Sequence, residues 1–243
     1  LNTATGVRTP NLSELSSNGL HEGIYTFEIG DPSLKNEQNW NTDLSILWKR
    51  DQIDLSTSAF YNVFQNYIYL EPTEEKWYGF PIYRFKQGPA TLYGGEVSGI
   101  YSPKYLKLFR FEMKYSGLIG KLLNEGYLPY MPPPQWSPKV AYQFSSSKRG
   151  ELSAFVEMIF TEAQNRVWKE EAQTNGYQLI NAGLSYQLKH KNTFYDASIG
   201  VRNLLNESYF NHLSRLKPYG ILDMGRNICF QLKIKLNQQQ SKI

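Results

Sequence analysis

Apolar and polar residues alternate one for one through about nine runs of this chain, the period of a strand with two unlike faces. Trp40, Thr42, Leu44, Ile46 and Trp48 share one face, against Asn41, Asp43, Ser45 and Lys49. Leu55, Thr57, Ala59, Tyr61 and Val63 oppose Asp54, Ser56, Ser58 and Asn62. Tyr105, Lys107, Phe109, Phe111, Met113 and Tyr115 oppose Arg110, Glu112, Lys114 and Ser116. Trp136, Val140, Tyr142 and Phe144 follow, and then Leu152, Ala154, Val156, Met158 and Phe160 against Glu151, Ser153 and Glu157. The last run is the cleanest, with Ile228, Phe230, Leu232, Ile234 and Leu236 opposite Asn227, Gln231, Lys233 and Lys235. Runs 91–101, 177–188 and 193–203 are less regular: the first is Gly-rich, the second is apolar on both faces, and the third is mixed towards its end.

The connections alternate too. They are short at 50–53, 102–104, 145–150 and 190–192, and long at 71–88, 118–135, 166–176 and 204–225. A sandwich has no reason to gather its long loops at one end, whereas a transmembrane β-barrel has short periplasmic turns and long outer loops. The strands, at roughly 10–17 residues, exceed the usual ~5–6. Trp40, Trp48, Tyr67, Tyr69, Tyr101, Tyr105, Trp136 and Tyr177 sit near run ends, where interfacial girdles lie. In such a barrel the apolar face meets lipid and the charged face lines the lumen, so Glu96, Arg110, Glu112 and Glu157 are expected wall residues. With short turns at the periplasm, residues 10–38 form an outer loop and residues 1–8 the top of an ascending strand. The predicted fold is all-β, an antiparallel transmembrane β-barrel segment over residues 1–236, followed by a polar tail at 237–243.

Composition fits this once the fold is in mind. Mean hydropathy is −0.50, and no run approaches the ~20 apolar residues of a membrane helix. Barrel strands spend only alternate residues on lipid, so a weak hydropathy signal is what they give. Aromatics are abundant at 15%, with 18 Tyr and 13 Phe. The net charge of +4 is spread along the chain, with no basic run that would mark a nucleic-acid partner. The single cysteine, Cys229, excludes an intramolecular disulfide and a cysteine metal cluster. No basic and then apolar leader opens the chain, so an exported protein with this sequence is expected to be longer.

Candidate chemistry gathers in the outer loops. Of the three histidines, His190 lies between Lys189 and Lys191 in a short turn and reads as solvated. His21 and His212 fall in outer loops, where they either meet a metal chelate or haem or serve as polar loop residues. Trp77, Tyr78, Phe80, Tyr83 and Phe85 crowd 71–88, and such rings either grip a planar or apolar ligand or pack on one another. Pro132, Pro133 and Pro134 stiffen the end of the next loop. The candidate ligand-binding residues are therefore His21, Trp77, Tyr78, Tyr83, His212 and Arg215. No metal-ligand or phosphate-loop spacing occurs, so no metal and no resident cofactor is expected. Ser214 beside His212 lacks a third, orienting group, and no catalytic residue is expected.

Four motifs, in order along the chain, resemble those of TonB-dependent outer-membrane receptors. Arg8-Thr9-Pro10-Asn11-Leu12-Ser13-Glu14-Leu15 is similar to their R-x-P-x-x-x-E-L segment. Residues 28–37, Glu28 to Glu37, resemble the G-N-x-x-L-x-x-E stretch, with Asp31 at the Asn position. Gly94-Gly95-Glu96 matches G-x-E, and Asn203-Leu204-Leu205-Asn206 resembles N-L-F-N with Leu205 at the Phe position; Asn211–Gly220 and Gly225-Arg226-Asn227-Ile228 also fit. The resemblance implies about ten C-terminal strands of a 22-stranded type of barrel, with the plug and N-terminal strands elsewhere in the protein. It implies TonB-energised uptake of a scarce nutrient of the siderophore-iron, haem, metal or cobalamin class, and as partners outer-membrane lipid, the TonB complex and a small-molecule or metal-chelate ligand. One departure is that the final strand ends at Leu236 and not on a terminal aromatic. From the residues alone, a passive porin, an outer-membrane hydrolase and a soluble all-β binding protein remain open.

Overall fold

A computed structural model describes residues 1–147, 150–190 and 193–236. The chain runs β1 (Asn2–Arg8), α1 (Leu12–Ser16), β2 (Asn18–His21), β3 (Thr26–Ile29), β4 (Glu37–Arg50), β5 (Ile53–Trp77), β6 (Phe80–Tyr101), β7 (Phe109–Leu122), β8 (Gly126–Tyr127), β9 (Gln135–Ser147), β10 (Gly150–Thr161), β11 (Tyr177–His190) and β12 (Thr193–Arg202). A 3-10 turn at Lys217–Tyr219 precedes β13 (Asn227–Leu236). Ten of these strands make one continuous antiparallel meander, β1-β4-β5-β6-β7-β9-β10-β11-β12-β13, and β1 and β13 are its two edges. The sheet does not close.

Register joins the sequence alternation into two faces. Phe111, Val140, Val156, Ala182, Val201 and Ile228 stand in one row across six strands. One residue along, Glu112, Lys139, Glu157 and Asn181 form a row of opposite sense. The apolar face is open: Ile46 is 53% exposed, Val156 50%, Leu184 46% and Phe230 75%. In water each such side chain would forgo roughly 1.5–3 kcal/mol relative to burial, so a whole face of them fits lipid as its solvent.

Two connections differ from the sequence expectation. Residues 71–88 are not a loop: β5 and β6 pair on to Trp77↔Phe80. The alternation of this stretch lets it zip into a long arm, closed by Tyr78 and Gly79 with φ of 47° and 92°, the two positive values a tight type I′ hairpin turn requires. Register slips between Phe64/Tyr67 and between Pro72/Lys76 bend the arm. Conversely, the turn expected at 102–104 runs from 102 to 108, because β7 begins only at Phe109. Tyr105 and Lys107 are turn residues, held by Leu106 N–H donating to Pro103 O at 3.1 Å and Phe109 N–H to Leu106 O at 2.8 Å. The expected turns at 145–150 and 190–192 fall partly, and the tail at 237–243 wholly, outside the described residues.

The small core lies at the long-loop end, on the face that is polar lower down. Ala90 and Leu122 continue the faces of Glu96 and Glu112, and they pack with Tyr69, Leu128 and Trp168, flanked by Phe64, Leu92 and Met131. Leu128, Met131 and Trp168 come from the connections 123–134 and 162–176, so these loops fold inward over that face. The connection 9–36 folds in as well, through β3, which pairs parallel with the arm at Phe27↔Ile82 and Ile29↔Arg84.

Candidate functional site: the outer-loop cap

At its buried centre the cap is ionic. Glu171 of the 162–176 connection has a side chain only 2% exposed, with Oε1 3.0 Å from His212 Nε2. The same oxygen lies 3.4 Å from Lys217 Nζ. The backbone N–H of Tyr130 donates to Glu171 Oε2 at 3.0 Å. His212 Nδ1 is 3.0 Å from Thr174 Oγ1 and 3.4 Å from Lys217 Nζ. An ammonium only donates, so Nδ1 accepts from Lys217, which leaves Nε2 to carry a hydrogen towards Glu171. That close approach is an ionic contact with the Glu171 carboxylate. Burial alone would raise the Glu171 carboxyl; the His212 contact and the Tyr130 N–H outweigh it and hold the group below its ordinary value. Burial lowers Lys217, against the opposing pull of Glu171. The cluster joins the 162–176 and 203–226 connections, each contributing half of the charge.

Beside it lies a stack of rings. The Arg215 guanidinium sits 3.9 Å from the Tyr130 ring centroid and 5.4 Å from that of Tyr83, within cation–π range. Tyr130 Oη donates to Tyr83 Oη at 2.6 Å. Burial and the Tyr83 neighbour raise the Tyr130 phenol. Arg215 Nη1 is buried without a partner, a donor left over after the stack is made. Farther out, Tyr25 stacks on Phe80 at 6.4 Å, Tyr219 donates to the Tyr25 carbonyl, and Trp77 meets Tyr78 edge-on at 4.8 Å. A cavity of about 540 Å³ opens between the last two connections, lined by Thr174, Tyr177, Glu207, Tyr209, Phe210 and Leu222 among others.

The six predicted loop residues thus divide. Tyr83, His212 and Arg215 come together in the buried layer; Tyr83 is 3% and His212 1% exposed. Trp77 and Tyr78 stand at the arm tip, with Tyr78 87% exposed. His21 ends β2 at the surface, away from His212 in burial and partners. Ser214 Oγ accepts from Leu216 N–H while His212 bonds Thr174. Sequence reasoning missed Glu171, Lys217, Thr174 and Tyr130. Their pairing crosses three loops, and the one local hint was a Glu170-Glu171 pair in a long connection.

The four wall residues share the polar face. Arg110 Nε donates to Glu112 Oε1 at 2.9 Å, and Lys139 Nζ is 3.9 Å from Glu112 Oε2. Ser137 Oγ donates to Glu157 Oε1 at 3.0 Å and Asn181 Nδ2 to Oε2 at 3.2 Å. Glu96 faces a small hollow beneath Pro132 and Pro133.

Three of the four motifs turn out to be brackets at the loop bases, while Gly94-Gly95-Glu96 lies in mid-β6. Arg8 Nη1 donates to both Glu14 oxygens at 2.9 Å and Nη2 to Glu37 Oε2 at 3.1 Å. Glu14 in turn closes a capping box with Asn11 on α1, and Glu37 Oε2 accepts Ile68 N–H at 3.0 Å. A Cβ at Gly30 would stand 2.6 Å from Ser16 N, so only glycine fits there. Asn203 holds Glu207 through Nδ2 to its carbonyl and Oδ1 from its N–H, both at 2.8 Å. Asn206 Oδ1 accepts Arg226 N–H at 2.8 Å. The connections 9–36 and 203–226 are each pinned where they leave the sheet.

With an open ten-strand meander, an apolar outer face and a bracketed loop cap established, the class is a membrane-barrel wall. The chain matches the family model for TonB dependent receptor-like, beta-barrel proteins over residues 1–204, and it belongs to that family. Among solved structures it is similar to the copper transporter OprC, with TM-score 0.76 and 19% identity over 96% of this chain and 36% of that one. It is similar to the FrpB iron transporter from Neisseria meningitidis (F5-1 variant), with TM-score 0.64 and 14% identity over 96% and 36%. It also resembles the siderophore receptor PirA from Pseudomonas aeruginosa, with TM-score 0.58 and 18% identity over 96% and 38%. The chain spans a little over a third of the length of these structures.

Proposed function

We propose that this chain is wall and loop cap of an outer-membrane receptor that imports a scarce nutrient with energy from TonB. The observation that carries this reading is the single-ended cap: the connections 9–36, 123–134, 162–176 and 203–226 and the arm all converge on the polar face at one end of the sheet. A passive pore needs an open mouth, whereas a receptor needs a shaped one. The ligand class is a metal chelate or another small molecule offering oxygens and planar surface. Arg215 brings a half-buried cation, and Tyr25, Tyr219, Trp77 and Tyr78 bring exposed ring faces, while the Tyr83 and Tyr130 rings lie beneath Arg215 and support it. His21 is the exposed imidazole of the cap. His212 acts behind these groups, holding two connections together. Glu96, Arg110, Glu112 and Glu157 form a wet wall for the plug.

The test is uptake by cells carrying the full-length protein, offered ferric siderophores, haem, cobalamin and copper in turn, with and without a protonophore. One class should accumulate above cells lacking the protein, and collapse of the proton gradient should stop it. Accumulation that persists after collapse would identify a passive pore.

A further inference from the structure

We propose that the rim at the short-turn end, where the β4–β5 and β6–β7 connections meet, binds the headgroup of an anionic phospholipid. Arg50 and Lys107 would hold the phosphate, with Trp48, Tyr105, Leu106 and Leu108 at the acyl boundary. The proposal rests on the transmembrane reading of the sheet.

The 102–108 connection is where the fold departs from the short turn that the sequence suggests, and the departure leaves an unusual surface. Tyr105 is 76% exposed, Leu106 40% and Leu108 45%. The segment is nevertheless fixed. Ser102 N–H donates to Gln52 O at 2.8 Å, Lys104 N–H to Gln52 Oε1 at 2.7 Å, and Pro103 is fully buried beneath it. A rigid turn that faced only water would gain nothing from presenting two leucines and a tyrosine. At a bilayer interface this composition is the expected one, with rings and leucines in the acyl boundary and cations at headgroup level.

The neighbouring turn completes the surface. Arg50 follows Ile46 and Trp48 on the lipid-facing side of β4 and pairs across to Ile53; Trp48 is 45% and Ile53 39% exposed. Tyr105 Oη lies 3.3 Å from Tyr101 Oη, and Tyr101 shares the face of Val97, so the added turn folds to the lipid side. The charges do not balance. Lys49 pairs with Asp54 at 3.5 Å and Lys104 with Asp51 at 3.4 Å. Arg50 and Lys107 have no acidic partner among the described residues. Two surplus cations above an apolar shelf select an anionic headgroup over a zwitterionic one, since each basic residue near a charged leaflet adds attraction. A guanidinium from one turn and an ammonium from the other offer both forked and point donors to a phosphate.

The experiment reconstitutes the full-length protein in vesicles of phosphatidylcholine containing a minor fraction of phosphatidylglycerol. Spin-labelled versions of each lipid report how strongly the protein retains them. Wild type should retain phosphatidylglycerol preferentially. Arg50→Gln with Lys107→Gln should lose that preference by roughly fivefold per cation removed, and Arg50→Lys with Lys107→Arg should keep it. Protease protection of the strands checks insertion in every case. If wild type inserts but retains both lipids equally, or the Gln variant inserts and keeps its preference, the headgroup site is refuted and the barrel stands. If wild type does not insert, the transmembrane reading fails and the site fails with it.

Discussion

Two kinds of residue decide this protein, and they respond to mutation differently. Val156 is mid-strand on the apolar face and half exposed, while Glu157 beside it accepts two hydrogen bonds on the polar face. Val156→Arg should cost roughly 2–4 kcal/mol, as charges do near the midplane of a barrel's lipid face. Val156→Leu should be near neutral against fluid lipid, whereas a close-packed site would penalise it by about 1–3 kcal/mol. Folding titrations in lipid vesicles read both; a strongly destabilised Val156→Leu would mean that the sheet is inside out. In the cap, Glu171 is the sole carboxylate facing His212 and Lys217 among the described residues. Glu171→Gln leaves the Lys217 ammonium buried and unpaired, which should lower the opening free energy of the 203–226 connection by about 3–5 kcal/mol. Hydrogen exchange of that connection measures it, and unchanged protection would contradict the role given to the cluster.

Among the elements, the arm and the last two connections behave as separable parts. Shortening the tip around Trp77–Phe80 should weaken ligand binding while leaving assembly intact, because the tip lies beyond the packed core and loops tolerate change better than strands. Ligand titration of a receptor lacking the tip reads this; unchanged affinity would reduce the tip to a packed cap. The clasp between the 162–176 and 203–226 connections should also be acid-sensitive. The Glu171 carboxyl is depressed below its ordinary 4.5 in the folded cap, so its contribution is complete above that value, fades as pH falls below it, and is gone once pH drops under the folded value. The exchange protection of the two connections should fall over that window.

The elements also show what the sequence could carry. The spans of β4, β10 and β13 were legible because a two-residue period is a local property. The arm was not, since Gly88 and the bulges at 65–66 and 73–75 interrupt the period and suggest a loop until cross-strand pairing is known. The 102–108 turn was misjudged for the opposite reason, as Tyr105 and Lys107 keep the period without pairing. Arg8, Glu14 and Glu37 were visible as motif letters, but their purpose lies in contacts separated by up to 31 residues. Glu171 and Lys217 meet across 46 residues, and no local pattern encodes that.

For the whole molecule, the open edges are the dominant fact. β1 and β13 present unpaired N–H and C=O groups along their length, and hydrocarbon does not tolerate them. The sheet should therefore be stable in lipid only when both edges are paired, either by further strands of a longer chain or by another copy. The alternating faces of this sheet meet two solvents, lipid and water. Single nitroxide labels placed in turn from 152 to 160 in the reconstituted full-length protein test it directly, by their collision rates with oxygen, which concentrates in lipid, and with a water-soluble nickel chelate. Labels at Ala154, Val156 and Met158 should favour oxygen and those at Ser153, Phe155 and Glu157 the chelate, in strict alternation. A uniform profile, or one with the two sets exchanged, would contradict the barrel.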